Sequence, residues 1–240
     1  QISCINPLFP LRNDRKAVLA IAKTICSDIV DVFEITTDKF LPAYIAFETI
    51  SENDYLNECI GQKPTRGTMC TSVDALIFAQ HQNGKKILLP IEWKYTESYD
   101  DTDKSTEKGR GKTRLSRYTN LINNSTQLKQ KYKDYTSSIY FFEPFYQLMR
   151  QTLLTEQMIA NKDAELIKAD DYIHAHIIPS ENIDLLNKEY LPSKQDMETT
   201  WRSCLTNQEK YKIISPKDLI TNIDKIKYKK LINYLSERYW

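Results

Sequence analysis

Three charged side chains interrupt a stretch of apolar residues in the first half of the chain. Asp74 lies within the run SVDALIFA, and Glu92 and Lys94 close the run KILLPIEWK. Two carboxylates held close together in a partly buried place repel each other unless cations join them. Lys94 supplies one positive charge, and a hard divalent cation, Mg²⁺ or Mn²⁺, would balance the remainder.

Such a group of charges predicts hydrolytic chemistry at phosphorus. A metal ion held by carboxylates can orient and acidify a water molecule and neutralise charge on a phosphoryl oxygen. Lys94 beside it could orient that water and stabilise the pentacovalent transition state. The alternative is a salt-bridged strand end without chemistry, because pairs such as Glu92 and Lys94 are common on exposed strand faces.

Two predicted strands, residues 72–80 and 85–95, must position these charges. Asn83-Gly84 between them is a strong signal for the turn of an antiparallel hairpin. Counting outward from this turn places residue 74 opposite residue 93, so Asp74 should lie close to both other charges. The second strand is apolar on both faces up to its end, which is typical of an internal strand.

Trp93 and Pro90 add detail to the second strand. Side chains alternate between faces, so Glu92 and Lys94 share one face and Trp93 points to the other. Pro90 cannot donate a hydrogen bond to a neighbouring strand, which predicts a bulge or an unpaired position there.

The remaining pattern predicts one α/β domain over residues 1–240, a mixed β-sheet flanked by helices, with extra C-terminal helices. Residues 40–60 read as a strand followed by a short helix. Helical periodicity predicts helices at 14–33, 115–132, 144–160, 196–206, 216–223 and 228–238, and strand-like runs predict strands at 137–142, 171–179 and within YKIIS.

Composition narrows the class of protein. The chain has 240 residues, of which 41% are hydrophobic and 27% charged, and its net charge is +1, which predicts a soluble globular protein. No apolar run approaches the roughly 20 residues of a membrane span, so no membrane partner is expected. The five cysteines contain no Cys-x-x-Cys pair, which excludes zinc ribbons and suits reduced thiols in a cytoplasmic protein.

The pattern of Asp74 followed by Glu92-Trp93-Lys94 at the end of the next strand resembles the PD-(D/E)xK nuclease superfamily. The segment TSVDALIF…LLPIEWKYTE is similar to a bacterial family of restriction endonucleases, and FYQLMRQ and YIHAHIIP resemble the helix and strand that follow the catalytic hairpin. Val73 departs from the motif, which has proline at that position. The resemblance implies a restriction-endonuclease-like fold.

The resemblance also implies roles for these residues. Asp74 and Glu92 would be metal ligands for Mg²⁺ or Mn²⁺, with the backbone carbonyl of Trp93 as a third ligand, and Lys94 would be the catalytic lysine. The implied reaction is hydrolysis of phosphodiester bonds, of double-stranded DNA rather than RNA, by a metal-activated water. Cleavage of both strands would favour a homodimer.

Related families add an acid from an upstream helix, and a later helix can face the site. Glu48 and Glu52 are the candidates for that acid, and Glu48 is preferred. Gln147 and Arg150 would face the site from the helix at 144–160. The alternative for both is the surface face of an amphipathic helix.

A basic segment follows the second strand. Six Lys or Arg residues stand against one Glu between residues 104 and 117. The segment predicts a clamp for the phosphates of a nucleic acid, with affinity that falls as salt rises, or else a solvated loop. Its predicted nucleic-acid-binding residues are Lys108, Arg110, Lys112, Arg114 and Arg117.

Three hypotheses remain open from the sequence. The first is a metal-dependent nuclease, the second is a catalytically inactive nucleic-acid-binding module of the same fold, and the third is a metal-free subunit that binds other proteins. His174 and His176 share a strand face, where two imidazoles alone make a poor zinc site, and are expected to be part of the scaffold.

Overall fold

The computed structural model describes residues 2–37, 40–67 and 70–239. The helices are α1 (Ile2–Leu8), α2 (Arg15–Ile25), α3 (Gly111–Asn124), α4 (Phe145–Ala160), α5 (Ile183–Leu186), α6 (Met197–Ser203), α7 (Pro216–Leu219) and α8 (Lys229–Arg238). The strands are β1 (Ile29–Phe33), β2 (Ile35–Thr37), β3 (Phe40–Ala43), β4 (Ile45–Thr49), β5 (Val73–His81), β6 (Lys86–Trp93), β7 (Asp171–Tyr172), β8 (His174–Ile177) and β9 (Tyr211–Ile214).

Seven of these strands form one mixed sheet in the order β1-β5-β6-β8-β9, with β4 also paired to β5 and β7 to β6. β5 runs antiparallel to β1, β4 and β6, whereas β7 and β8 run parallel to β6. The predicted α/β class, with a mixed sheet flanked by helices, is therefore confirmed and is compatible with a restriction-endonuclease-like fold. A single domain over residues 1–240 stays a prediction.

Two hydrophobic cores cover the two faces of the sheet. On one face, α2 and the C-terminal helices pack against side chains such as Ile87 and Leu89 of β6. On the other face, α3, α4 and α6 pack against Leu76 and Leu88. No helix within the described ranges has the length and apolar character needed to cross a membrane.

The central hairpin of β5 and β6 confirms the predicted antiparallel pairing. Ala75 lies opposite Ile91, so the register is shifted by one residue from the prediction and continues to place Asp74 opposite Glu92. Each residue of β6 after the first is buried, as expected for an internal strand.

Pro90 forms no bulge, because it pairs in regular register with Leu76 of β5. On its other side, the parallel ladder is interrupted between the pairs Leu88–Tyr172 and Ile91–Ala175. The missing N–H of Pro90 therefore falls where the ladder is already broken, which leaves the strand straight up to its charged end.

Several predicted elements were wrong in type or length. The helix predicted at 14–33 ends at Ile25, because the β-branched residues of 29–33 pair with β5 instead. Residues 51–61 contain turns and no helix. The strand predicted at 137–142 is a 3-10 helix, Ile139–Phe141, whose aromatic side chains fill the core beside α4 rather than join the sheet.

A buried carboxylate, Glu58, connects α3 and α4 to the chain that leads into β5. Only 2% of Glu58 is exposed, and it accepts hydrogen bonds from the hydroxyls of Thr71 (2.7 Å) and Tyr118 (2.5 Å). The guanidinium of Arg150 on α4 lies 2.9 Å from the same carboxylate. Arg150 is therefore held by Glu58, and not by the charges at the end of the hairpin.

We expect Glu58→Gln to lower the free energy of unfolding by about 3 kcal/mol, because it leaves a largely buried guanidinium unpaired. Urea unfolding followed by circular dichroism measures this loss. The matched control is Glu107→Gln, which removes the solvent-screened partner of Arg114 and should cost much less than Glu58→Gln. Equal losses in the two variants would contradict the role assigned to Glu58.

Candidate active site

The end of the β5–β6 hairpin brings the three predicted charges together. Asp74 and Glu92 lie on the same face of the sheet, and Lys94 follows β6 directly. The Lys94 Nζ atom lies 2.6 Å from Glu92 Oε1. The backbone N–H of Trp93 donates to Asp74 Oδ2 at 2.8 Å. The side chain of Trp93 is buried on the opposite face, and the role of its carbonyl as a metal ligand stays a prediction.

Helix α4 holds the carboxylate of Glu92 from the other side. The side-chain amide of Gln147 donates to Glu92 Oε1 at 2.6 Å, and that of Gln151 donates to Glu92 Oε2. Gln151 also donates to the backbone carbonyl of Ser72 at 3.2 Å. Positions four apart share one face of a helix, so the two amides reach the carboxylate side by side.

Gln147 therefore faces the site. The sequence alone left open whether it faces the site or the solvent. Gln151 contacts Glu92 as well, although sequence reasoning missed it. The spacing of four residues between the two amides in FYQLMRQ was the available signal.

Glu48 lies across from Asp74 on the neighbouring strand β4. The pairs Phe47–Ala75 and Thr49–Val73 place it there, and Ser72 Oγ donates to Glu48 Oε2 at 3.1 Å. Its backbone φ is 49°, in the left-handed region that non-glycine residues rarely adopt and that often marks a functional position.

Glu52, the other candidate acid, lies apart from this group. Its backbone N–H donates to the carboxylate of Glu165 at 3.1 Å, and both residues line a separate cavity. The geometry therefore favours Glu48 over Glu52 as the additional acid, and its catalytic role stays a prediction.

Burial and repulsion between acids shift the titration of this site. Burial, followed by the charge of Asp74, raises the pKa of Glu92 from its ordinary value of 4.5 to about 7. Burial also raises the pKa of Asp74, and Glu48 adds to that effect, while the Trp93 N–H and Lys94 oppose it.

Lys94 keeps its proton at neutral pH. Burial opposes its charge, but the surrounding groups Glu92, Tyr99 and Asp74 outweigh burial and raise its pKa. Tyr99 is a second contact that the sequence did not reveal, and burial raises its own pKa to about 12. The site therefore contains a protonated Lys94 beside two carboxylates whose ionised forms are destabilised by burial and by repulsion between acids.

The carboxylates of the site are of the chemical type that binds a hard divalent cation, but among the described residues they do not form a preorganised metal site. Asp74, Glu92 and Glu48 offer carboxylate oxygens whose mutual repulsion such a cation would relieve. Both oxygens of Glu92 already accept hydrogen bonds, from Lys94, Gln147 and Gln151. Among the residues that the structure describes, no group of three or more His, Cys, Asp or Glu side chains is arranged to hold a metal ion.

The basic segment divides into exposed and internally bound cations. Lys108, Arg110 and Lys112 are exposed to solvent, and Arg110 also lies 3.6 Å from the carboxylate of Glu107. Arg114 binds the carboxylate of Glu107 at 2.5 Å and the backbone carbonyl of Lys104 at 3.0 Å, and Arg117 donates to the Glu58 carbonyl at 3.5 Å. Phosphate binding by any of the five stays a prediction, and the exposed three are placed best for it.

The two histidines of β8 are buried inside the core. At most 2% of either residue is exposed, and burial lowers the pKa of both imidazoles. His176 Nδ1 lies 2.8 Å from the hydroxyl of Tyr211. Both contribute to packing between β8 and β9, as expected for scaffold residues.

We expect the free energy of unfolding in EDTA to fall as pH rises from about 4.5 to about 7, because the folded protein keeps a proton on Glu92 while the unfolded chain has released it. Between these two pH values the wild-type protein should lose roughly 2–3 kcal/mol more unfolding free energy than Glu92→Gln, whose side chain cannot titrate. Urea unfolding at a series of pH values measures it. Parallel stability curves for the two proteins would contradict the raised pKa.

Comparison with known families gives an independent result. The chain matches a family described as restriction endonuclease associating with ARP, over residues 1–240. Neither the curated proteins nor the solved structures gave a match. The family description agrees with the resemblance carried by the β5–β6 hairpin and covers every element around it. The chain belongs to this restriction endonuclease family.

Proposed function

We propose that this protein cleaves phosphodiester bonds of double-stranded DNA in a reaction that depends on Mg²⁺ or Mn²⁺. The observation that carries the proposal is the convergence of Asp74, Glu92 and Lys94, with Lys94 Nζ at 2.6 Å from Glu92. Membership of a restriction endonuclease family supports a nuclease, and DNA is the substrate that the family name suggests.

Asp74 and Glu92, with the Trp93 carbonyl and Glu48, would hold the metal ion. Such an ion would supply charge neutralisation at a phosphoryl oxygen and a more acidic water. The Trp93 N–H fixes Asp74 through Oδ2.

Lys94 is the group that can act directly on the reacting atoms. Its raised pKa keeps it a cation and a hydrogen-bond donor at neutral pH. If the Lys94 ammonium moved from Glu92 to the attacking water or to the phosphate, it would orient the water and stabilise the charge that develops in the transition state. Gln151 would keep Glu92 in place meanwhile, because it also binds the Ser72 carbonyl.

The exposed cations before and within the first turn of α3 would bind the DNA backbone. Lys108, Arg110 and Lys112 carry no base specificity of their own, so they would contribute affinity that falls as salt rises.

A second candidate function, DNA binding without cleavage, is favoured by one observation. Glu92 already has both oxygens bound by Lys94, Gln147 and Gln151. If a metal ion cannot displace Lys94 and Gln147, the fold would bind nucleic acid and leave it intact.

We expect the wild-type protein to cut plasmid and short duplex DNA with Mg²⁺ or Mn²⁺, and Lys94→Met to be slower by about 100-fold or more. Gel electrophoresis of the products over time measures the rates. The matched control is Lys86→Met, the same substitution at the exposed start of the same strand, which should cut at the wild-type rate. Equal cleavage by wild type and Lys94→Met would refute the proposed role of Lys94.

Calorimetric titration with Mn²⁺ separates the two candidate functions. We expect Asp74→Asn to weaken Mn²⁺ binding at least about tenfold, while Asp170→Asn, which removes a surface partner of Lys162, leaves it unchanged. A wild-type protein that retains DNA on a gel but binds no Mn²⁺ would establish the non-cleaving module instead.

A further inference from the structure

The outer edge of β4 has no strand beside it. β4 pairs with β5 on one side, and no strand within the described ranges pairs with it on the other, because β2 and β3 form a sheet of their own. An unpaired edge presents a row of backbone N–H and C=O groups, which is a template for pairing with a strand of another chain. β4 therefore carries pairing groups that no other described strand uses.

The hydrogen bonds of β6 fix the direction of the backbone groups in the central sheet. The carbonyls of Lys86 and Leu88 accept from Asp170 and Ile173, which lie on the side of β6 away from β5. Backbone groups alternate between the two sides of an antiparallel strand, so the odd-numbered residues of β6 bond β5. Their partners in β5 are odd-numbered as well. The even-numbered residues of β5 therefore direct their backbone groups toward β4.

The same alternation fixes the backbone of β4. Leu76 of β5 pairs with Ala46, so Ala46 bonds β5 and its two neighbours do not. The N–H and C=O groups of Ile45 and Phe47 therefore point away from the sheet. Ile45 is only 1% exposed, and a buried backbone polar group without a hydrogen bond is costly. These groups favour a partner that supplies backbone donors and acceptors.

A cavity of about 540 Å³ lies against this edge. Ile45, Ala46 and Phe47 all line it, although neighbouring side chains of a strand point to opposite faces. A space that touches three consecutive residues lies at the edge of the strand and not on one face. Phe9 and Leu41 complete its apolar wall, and both are well exposed, so the cavity is open to a partner molecule.

A second cavity, of about 340 Å³, continues along β4. Thr49 lines this one, and Ile35 lines both, so the two cavities are neighbours. Thr49 is 6% exposed, and its Oγ1 atom has no hydrogen-bond partner within the described part of the chain. Two pockets along one unpaired edge are typical of a site for an extended peptide, whose main chain pairs with the strand while alternate side chains enter the pockets.

The charges around the larger cavity suit an acidic segment. Arg12 and Arg66 line it, and no acidic side chain is found among its described lining residues. The Arg12 guanidinium lies 3.5 Å from the centre of the Phe9 ring, on the open apolar wall. A second copy of this chain, related by a twofold axis, would bring the same arginines against themselves. An acidic segment of another protein complements this surface, whereas a second copy repels it.

We propose that the outer edge of β4 binds an extended acidic peptide segment of a partner protein by strand addition. The backbone groups of Ile45 and Phe47 pair with the main chain of the peptide. An apolar side chain of the peptide enters the larger cavity, and an acidic side chain binds Arg12. The site is separate from the carboxylates of the candidate active site, and it does not depend on DNA cleavage.

A phage-displayed library of random twelve-residue peptides, selected on the full chain, tests the proposal. We expect the selected peptides to share an apolar residue close to Asp or Glu, and fluorescence anisotropy gives their dissociation constants. N-methylation of one peptide bond at a time should weaken binding about tenfold at alternate residues and little at the residues between, because only every second N–H faces β4. Failure to select such a peptide would overturn the proposal, and so would an N-methylation pattern without this period of two.

Reversal of charge tests where the peptide lies. We expect Arg12→Glu to weaken binding of the selected peptide at least about tenfold, and a peptide with Lys in place of its acid to regain affinity for that variant. The matched control is Lys16→Glu, the same reversal at an exposed cation that does not line the cavity. Unchanged binding by Arg12→Glu, or an equal loss in Lys16→Glu, would refute the assignment. Thermal unfolding confirms that each variant is folded.

Sedimentation velocity of the free protein decides between a peptide and a second copy of the chain. We expect Leu41→Glu to weaken peptide binding and to leave the sedimentation of the free protein unchanged. If this variant instead dissociates a dimer formed by the wild type, the surface joins copies of the chain and the proposal is wrong. None of these measurements requires cleavage, so they decide the peptide site independently of the proposed nuclease reaction.

Discussion

The carboxylate of Glu92 is the constraint on which the rest of the site depends. It is 1% exposed, and a buried carboxylate is costly unless each oxygen has a partner. Lys94 supplies the opposite charge, and the two amides of α4 supply the remaining hydrogen bonds. The end of the β5–β6 hairpin and the position of α4 are therefore fixed with respect to each other by one side chain.

The same contacts divide the partners of Glu92 between its two oxygens. Lys94 and Gln147 share Oε1 of Glu92, while Gln151 holds Oε2 and is itself tied to a backbone carbonyl. Asp74 and Glu92 would hold a divalent cation, which would supply charge neutralisation at a phosphoryl oxygen. Lys94 would remain the protonated donor beside them that can reach the reacting atoms.

The sequence contained enough to predict the hairpin and its charges, because Asn83-Gly84 fixes the turn and strand alternation fixes the faces. Helical periodicity predicted α4, whereas the sequence left open whether Gln147 faces the site or the solvent. It could not give Gln151 as a partner of Glu92 or Arg150 as a partner of Glu58, because those contacts depend on how α4 lies on the sheet. Residues 137–142 show the same limit, since apolar aromatic side chains suit a strand and a buried 3-10 helix equally.

Counting the basic residues of a segment overestimates how many of them can bind phosphate. The basic segment contains six cations by sequence, but Arg114 and Arg117 are bound to neighbouring groups of the protein itself. Arg12, which no motif singled out, has its guanidinium on an aromatic ring at the edge of an open cavity. An ion-paired arginine must give up a partner before it binds a phosphate, which raises the cost of that contact. The partners of each cation in the fold therefore say more about DNA contact than the density of cations along the chain.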